Sequence, residues 1–219
     1  GKLFVHCIKD RTPTTIEVIM GKSLVNKLLV SLEKMPIPDT KEATMQGRQA
    51  YEIGLEKLEE FKGDPKTLLA ALRIFQTCNS QPYVFGGVAM TLVLASREQD
   101  GTYFQGGLDA AMAWLEKAQA QALDIVIINM IEAYIYIYSN RFDDARLILD
   151  YLSDIESNNL YVMQAEIAYW QHQKKLDEAA QWYQKAIDTA DNVPRKLRLR
   201  NRLGDCYLEL GQDDKALEI

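Results

Sequence analysis

Strand-like patterning is almost missing from this chain. Apart from Leu3 to Ile8, no run alternates strictly between apolar and polar residues, which argues against a sheet. Cysteine is scarce: Cys7, Cys78 and Cys206 are odd in number, far apart and without C-x-x-C spacing. Neither a zinc site nor a redox pair is indicated, and the three read as small core residues in a reducing compartment. Histidine is scarcer still. His6 and His172 lie in different segments and show no H-x-x-x-H or carboxylate spacing, so no metal centre or catalytic imidazole is expected. Positive charge is in deficit, with 25 basic against 31 acidic residues and a net charge of −6. Such a balance repels a phosphate backbone, and nucleic acid is not an expected partner.

Long apolar runs are lacking too. Ile125 to Tyr138 is the most apolar stretch, but Asn129 and Glu132 interrupt it, and it falls short of the roughly 18 to 20 apolar residues of a membrane span. No charged segment followed by an apolar one opens the chain, so a secretory signal has no support and the cytoplasm is the expected location. Met20-Gly21-Lys22-Ser23 ends like a phosphate loop, yet Ile16 stands where the first glycine of G-x-x-x-x-G-K-[ST] belongs. A phosphate cradle needs that glycine and a preceding strand, so the match is read as accidental. The chain is expected to be no enzyme and to carry no cofactor.

What is present is helical periodicity. The 219 residues are 47% hydrophobic, enough for a sizeable core. Thr14 and Glu17 are spaced like a capping box, and Ile16, Ile19, Met20, Leu24, Leu28 and Leu32 continue as one stripe to about Met35, predicting a first helix. Pro36 and Pro38 break it; Asp39 with Glu42 restarts a helix carrying Tyr51, Leu55, Leu58 and Phe61, ended by Gly63. Asp64 before Pro65 is an N-cap followed by proline at the first helical position, and that helix runs to about Asn79. Pro82 opens the next, to about Arg97. Glu98 to Gly107 is the longest loop. From Leu108, helices of about 14 to 16 residues alternate with breaks at 123–124, 140–141, 157–159, 174–175, 191–194 and 211; connections this short force antiparallel neighbours.

A repeat underlies this rhythm. Phe142-Asp143-Asp144-Ala145, Leu176-Asp177-Glu178-Ala179 and Asp213-Asp214-Lys215-Ala216 align on their alanines, and Leu108-Asp109-Ala110-Ala111 precedes them. Ala111, Ala145 and Ala179 are 34 residues apart, and Ala216 follows after 37. The segment Leu203 to Ala216 matches L-G-x-x-Y-x-x-x-G-x-x-x-x-A almost position for position. On these residues the chain resembles the tetratricopeptide repeat family over Leu108 to Ile219, and weakly upstream, where Ala71, Phe75 and Cys78 occupy the alanine, aromatic and small positions. Ile167 and Leu152 depart from the pattern by standing where the family prefers small residues.

The resemblance implies an all-α, right-handed α-α superhelical solenoid of antiparallel helix pairs. Close approach rests on small residues, Ala133 and Gly204 on first helices and Ala111, Ala145, Ala179 and Ala216 on second helices, with Tyr136, Trp170 and Tyr207 filling the grooves beside them. Tyr183, Ala186 and Ala118 would face the following repeat. We divide the chain into an N-terminal segment with the first helix, 1–38, and a continuous solenoid, 39–219, which stops within a helix, so that the natural protein is expected to continue.

It also implies a protein or peptide partner held in a concave groove lined by first helices. Mapping that groove onto this sequence gives Met130, Tyr134, Ile137 and Tyr138, then Tyr161, Gln164, Ala168 and His172, then Arg198, Asn201, Arg202 and Asp205. An apolar segment bearing a carboxylate or phosphate would suit an aromatic end and a basic end. Two plainer readings stand beside it: Ile125 to Tyr138 as a helix buried on all sides, and the run Arg195, Lys196, Arg198, Arg200, Arg202 as ordinary ion pairs. Two other functions are compatible with the sequence, a regulatory extension of an enzyme whose catalytic domain lies outside this chain and a self-assembling structural module.

Overall fold

The computed structural model describes residues 20–36, 39–40 and 45–219; the Thr14–Glu17 capping box, Leu3 to Ile8, Cys7 and His6 lie outside them. Eleven helices follow in order among the described residues: α1 Gly21–Leu32, α2 Met45–Glu59, α3 Pro65–Phe75, α4 Gln81–Ala95, α5 Gln105–Gln119, α6 Val126–Tyr138, α7 Phe142–Ile155, α8 Leu160–His172, α9 Leu176–Thr189, α10 Val193–Glu209 and α11 Asp213–Leu217. The only β-type pairing among them is an isolated bridge between Arg97 and Tyr103 in the long loop.

The helices pair as α2–α3, α4–α5, α6–α7, α8–α9 and α10–α11. First helices also touch along the stack, α2 to α4, α4 to α6 and α6 to α8, so they form an inner layer and the second helices an outer one. The fold is an all-α solenoid of antiparallel helix pairs. Caps mark several starts as the composition suggests: the Asp64 carboxylate accepts from the Lys66 amide at 2.9 Å, Asn159 does the same for Tyr161, and Asn192 for Arg195. Each satisfies an amide that the first helical turn leaves without a partner. The acidic pairs Asp143-Asp144, Asp177-Glu178 and Asp213-Asp214 fall in the first turns of α7, α9 and α11, where the macrodipole favours them.

The 34-residue spacing reappears as backbone geometry. Three first helices end on a residue with left-handed φ: Asn140 at 59°, Lys174 at 62° and Gly211 at 68°. In each case the next amide reaches back five residues, Arg141 to the Tyr136 carbonyl, Lys175 to Trp170 and Gln212 to Tyr207, at 2.8, 3.0 and 2.9 Å. This is a Schellman-type C-terminus. A cation then lies over the same aromatic in every turn: Arg141 on Tyr136 at 4.4 Å, Lys175 on Trp170 at 5.1 Å and Lys215 on Tyr207 at 5.4 Å. Five residues after each left-handed residue comes the alanine of the second helix. Ala111, Ala145 and Ala179 have no exposed surface, and neither do Ala118, Ala133 and Ala186.

Three expectations are corrected. The first helix does not run unbroken through Met20, which is extended at φ −130°, ψ 167°; α1 starts at Gly21, whose φ of +58° suits glycine and where a Cβ would strike the Glu98 carboxylate. That carboxylate accepts from the Lys22 amide at 3.0 Å, so the Gly21-Lys22-Ser23 turn is already occupied by an anion of the chain itself. Next, α5 begins one turn earlier than Leu108, at Gln105. Last, Gly204 is no point of close approach among the described residues, since a Cβ there meets nothing within 4 Å, and Ala216 of α11 is only partly buried. Ile167 and Leu152 are nonetheless packed in their larger-than-usual positions, at 4% and 0% exposure.

Most buried apolar side chains form one cluster from α1 to α8, and a second joins Met163 and Ile167 of α8 to α9 and α10. Between α7 and α8 the fully buried Glu166 receives both terminal nitrogens of Arg146, at 2.9 and 2.5 Å, which satisfies a charge that would be costly alone. Ala145→Leu or Ala179→Leu is expected to lower stability by about 1 to 3 kcal/mol through overpacking, as read by urea denaturation; unchanged midpoints would show that the crossings have room. Lys174→Gly is expected to raise stability by about 0.5 to 1 kcal/mol, because lysine is held in a left-handed conformation there.

Candidate functional site

The inner layer is most densely functionalised where α2, α6, α8 and α10 converge. From α6 comes Tyr134, 7% exposed, with Tyr138 one turn on; their rings lie 6.0 Å apart at 21°. Tyr103 of the 96–104 loop stacks on Tyr138 at 4.0 Å and 9°. His172, at the end of α8, sets its edge against Tyr138 at 5.5 Å and Tyr103 at 6.2 Å, and its Nε2 is 3.1 Å from the Asn140 side-chain oxygen. Arg202 of α10 is exposed yet close enough to draw the phenols of Tyr134, Tyr138 and Tyr183 downward, an effect that burial outweighs in all three. Tyr183 is pushed up to about 12. All three phenols are therefore neutral donors at physiological pH.

Beside this floor lies a bridge between chain-distant helices. Glu59 of α2 accepts from Arg198 of α10 at 2.9 Å and from the Gln164 amide of α8 at 3.1 Å. Glu56, one turn earlier, accepts from Arg195 at 2.7 Å. Arg195 is 6% exposed, lies over the Tyr161 ring at 5.5 Å and donates to its hydroxyl at 3.4 Å. The partners are 139 residues apart. Burial pushes the Tyr161 phenol up to about 12 although Arg195 pulls the other way.

Of the residues mapped to the groove from sequence, the structure brings Tyr134, Tyr138, His172 and Arg202 into one neighbourhood and Tyr161, Gln164 and Arg198 into the adjoining bridge. Met130 and Ile137 are buried, at 2% and 0%. Ala168 is half-buried, and Asn201 and Asp205 are exposed on α10. Helix α6 is thus covered on nearly every side, which accounts for its high apolar content. Sequence reasoning missed Glu56, Glu59 and Tyr103. Glu56 and Glu59 look like solvated charges on an amphipathic helix, and Tyr103 sits in a loop with no period; no local signal distinguishes them.

A second hollow, of about 540 Å³, opens at the other end of these helices between Arg48, Tyr83, Asp124, Glu156 and Asn159. Arg48 is engaged there by Glu52 at 2.9 Å. Among the described residues no group of three or more His, Cys, Asp and Glu could hold a metal ion, and no helix is long and apolar enough to cross a membrane.

The fold and inner surface define a helical-repeat solenoid whose inner face carries clustered aromatic rings and arginine–glutamate pairs. No protein-family model matches the sequence, and no curated protein matches it. Solved structures of MamA are similar in outline. A chain from Desulfovibrio magneticus RS-1, beginning at residue 41, has 12% identity over 81% of this chain and 92% of its own, at a TM-score of 0.45. MamA of MSR-1 has 14% identity over 78% and 88%, at 0.42, and MamA of AMB-1 16% over 80% and 95%, at 0.39. The likeness is too distant to carry any inference about this chain.

His172 gives the site a pH dependence whose sign is fixed. Burial, with Lys174 nearby, holds its pKa below the ordinary 6.5, so the unfolded chain takes up the proton first on acidification. Its contribution to stability is intact above about pH 6.5 and declines as pH falls below that. Melting temperatures measured between about pH 7 and 5 are expected to fall less steeply in His172→Gln than in the native chain; identical slopes would contradict this.

Proposed function

We propose that the chain is a protein-interaction scaffold whose inner face holds an apolar peptide or protein segment carrying a carboxylate or phosphate. The observation that carries this is Arg202, an exposed guanidinium whose charge reaches the phenols of Tyr134, Tyr138 and Tyr183. Aromatic rings and arginine supply most of the binding energy at protein interfaces, and a guanidinium binds a carboxylate or phosphate through two parallel hydrogen bonds.

Arg198 is the adjoining donor. It is 35% exposed at its side chain and bridged to Glu59, so an incoming anion would compete with Glu59 for it. Met130, Tyr134 and Tyr161 are the buried support of such a groove, while Tyr138, Gln164, His172, Asn201 and Arg202 supply its reachable part. In this reading the chain performs no chemistry, needs no cofactor and works in the cytoplasm.

Selection of a displayed random-peptide library on the immobilised chain tests it. Selected peptides are expected to be rich in acidic and apolar residues, to bind Arg202→Gln about tenfold or more weakly, and to bind Glu59→Gln more tightly because Arg198 is released. Peptides that bind Arg202→Gln as well as the native chain would place the contact elsewhere.

A further inference from the structure

The outer layer carries a feature that the inner-face reading leaves unused. Helix α7 packs against α6 and α8 and buries Ala145, Leu149 and Leu152. On its opposite side Leu147, Tyr151 and Ile155 stand 69%, 54% and 50% exposed. They are spaced four apart and therefore form one ridge along the helix. Asp143 stands at the N-terminal end of the same ridge, and Asp150 and Asp154, four apart, form an acidic row beside it, all exposed. Only Asp150 of these enters an ion pair among the described residues, with Arg146 at 2.8 Å.

We propose that this ridge docks a basic amphipathic helix from a partner protein, its apolar side chains straddling Leu147, Tyr151 and Ile155 and its lysines or arginines facing the aspartate row. The spacing fits a helix, because knobs four residues apart seat in the grooves between turns of another helix. Three such side chains expose on the order of 300 Å² of apolar surface, a size at which exposed patches on monomers are often functional. A second copy fits poorly on two counts. That area is well below the roughly 800 Å² per partner of a standard interface, and a two-fold contact would set the aspartate rows of the two copies side by side. A nucleic acid or an anionic lipid surface is repelled by the same row.

The experiment uses the full chain and three synthetic helical peptides: one with leucines at i, i+4 and i+8 flanked by lysines, one with the same leucines flanked by glutamates, and one with the lysines kept and the leucines replaced by serines. Fluorescence anisotropy is expected to show binding of the first alone. Leu147→Ser with Tyr151→Ser should weaken it about tenfold or more, and Asp143→Asn with Asp154→Asn should reduce its dependence on salt. These positions are exposed, so circular dichroism should be unchanged. Equal binding of the first and third peptides, or equal binding by the serine variant, overturns the proposal. So does light scattering that shows a dimer in the native chain and a monomer in the serine variant, which would give the ridge to a second copy.

Discussion

The architecture depends on how close two helices can come. Where a second helix crosses its predecessor, only a methyl group stands between the backbones: Ala111, Ala145 and Ala179 are wholly covered. The left-handed residue five positions earlier, at Asn140 and Lys174, sets the reversal that delivers each of the last two alanines to its crossing. Small side chain and tight reversal are one device. A larger residue would separate the helices, and a different turn would bring the wrong face inward. The aromatic at the end of α6, α8 and α10, roofed by a cation, sits beside the reversal between the two rods. Packing at these points fixes the pitch of the stack, and the pitch decides which inner-face side chains can meet.

Pitch explains the arrangement at the inner face. The stack curves enough for α10 to face α2, and the carboxylates of Glu56 and Glu59 reach the guanidiniums of Arg195 and Arg198. Arg195 can be almost fully covered because two carboxylates and the Tyr161 ring share its charge; without them its burial would cost several kcal/mol. Arg202, on the same face of α10 one turn beyond Arg198, stays solvated. Two arginines of one run are thus paired across the stack, and a third is left in solvent.

The fold was legible because its signals are local. Alanines 34 apart, acidic pairs at second-helix starts and Asp64 before Pro65 each act within a few residues. The reversals at 140, 174 and 211 were visible as breaks, though nothing in Lys174 itself announces a left-handed backbone. Where a non-local partner decided the outcome, the sequence misled. The apolar stripe reads as one helix through Met20 and Leu24, yet Met20 is extended and Glu98, 76 residues away, accepts from the first turn of a helix that starts at Gly21. Which residues of α6, α8 and α10 lie on the first helices followed from the repeat register that the family resemblance supplies. Their opposite numbers on α2 did not, since a glutamate on a helix looks the same whether it meets water or an arginine from the far end of the stack.

The bridge between α2 and α10 changes how such a molecule comes apart. Stacked repeats ordinarily touch only their neighbours, so terminal units can fray without disturbing the middle. Here peeling α10 away strips Glu59 of Arg198 and exposes Arg195, and releasing α2 does the same from the other side. Loss at α2 is thereby felt at α10 and the reverse, and opening between them becomes a shared event rather than a progressive unzipping.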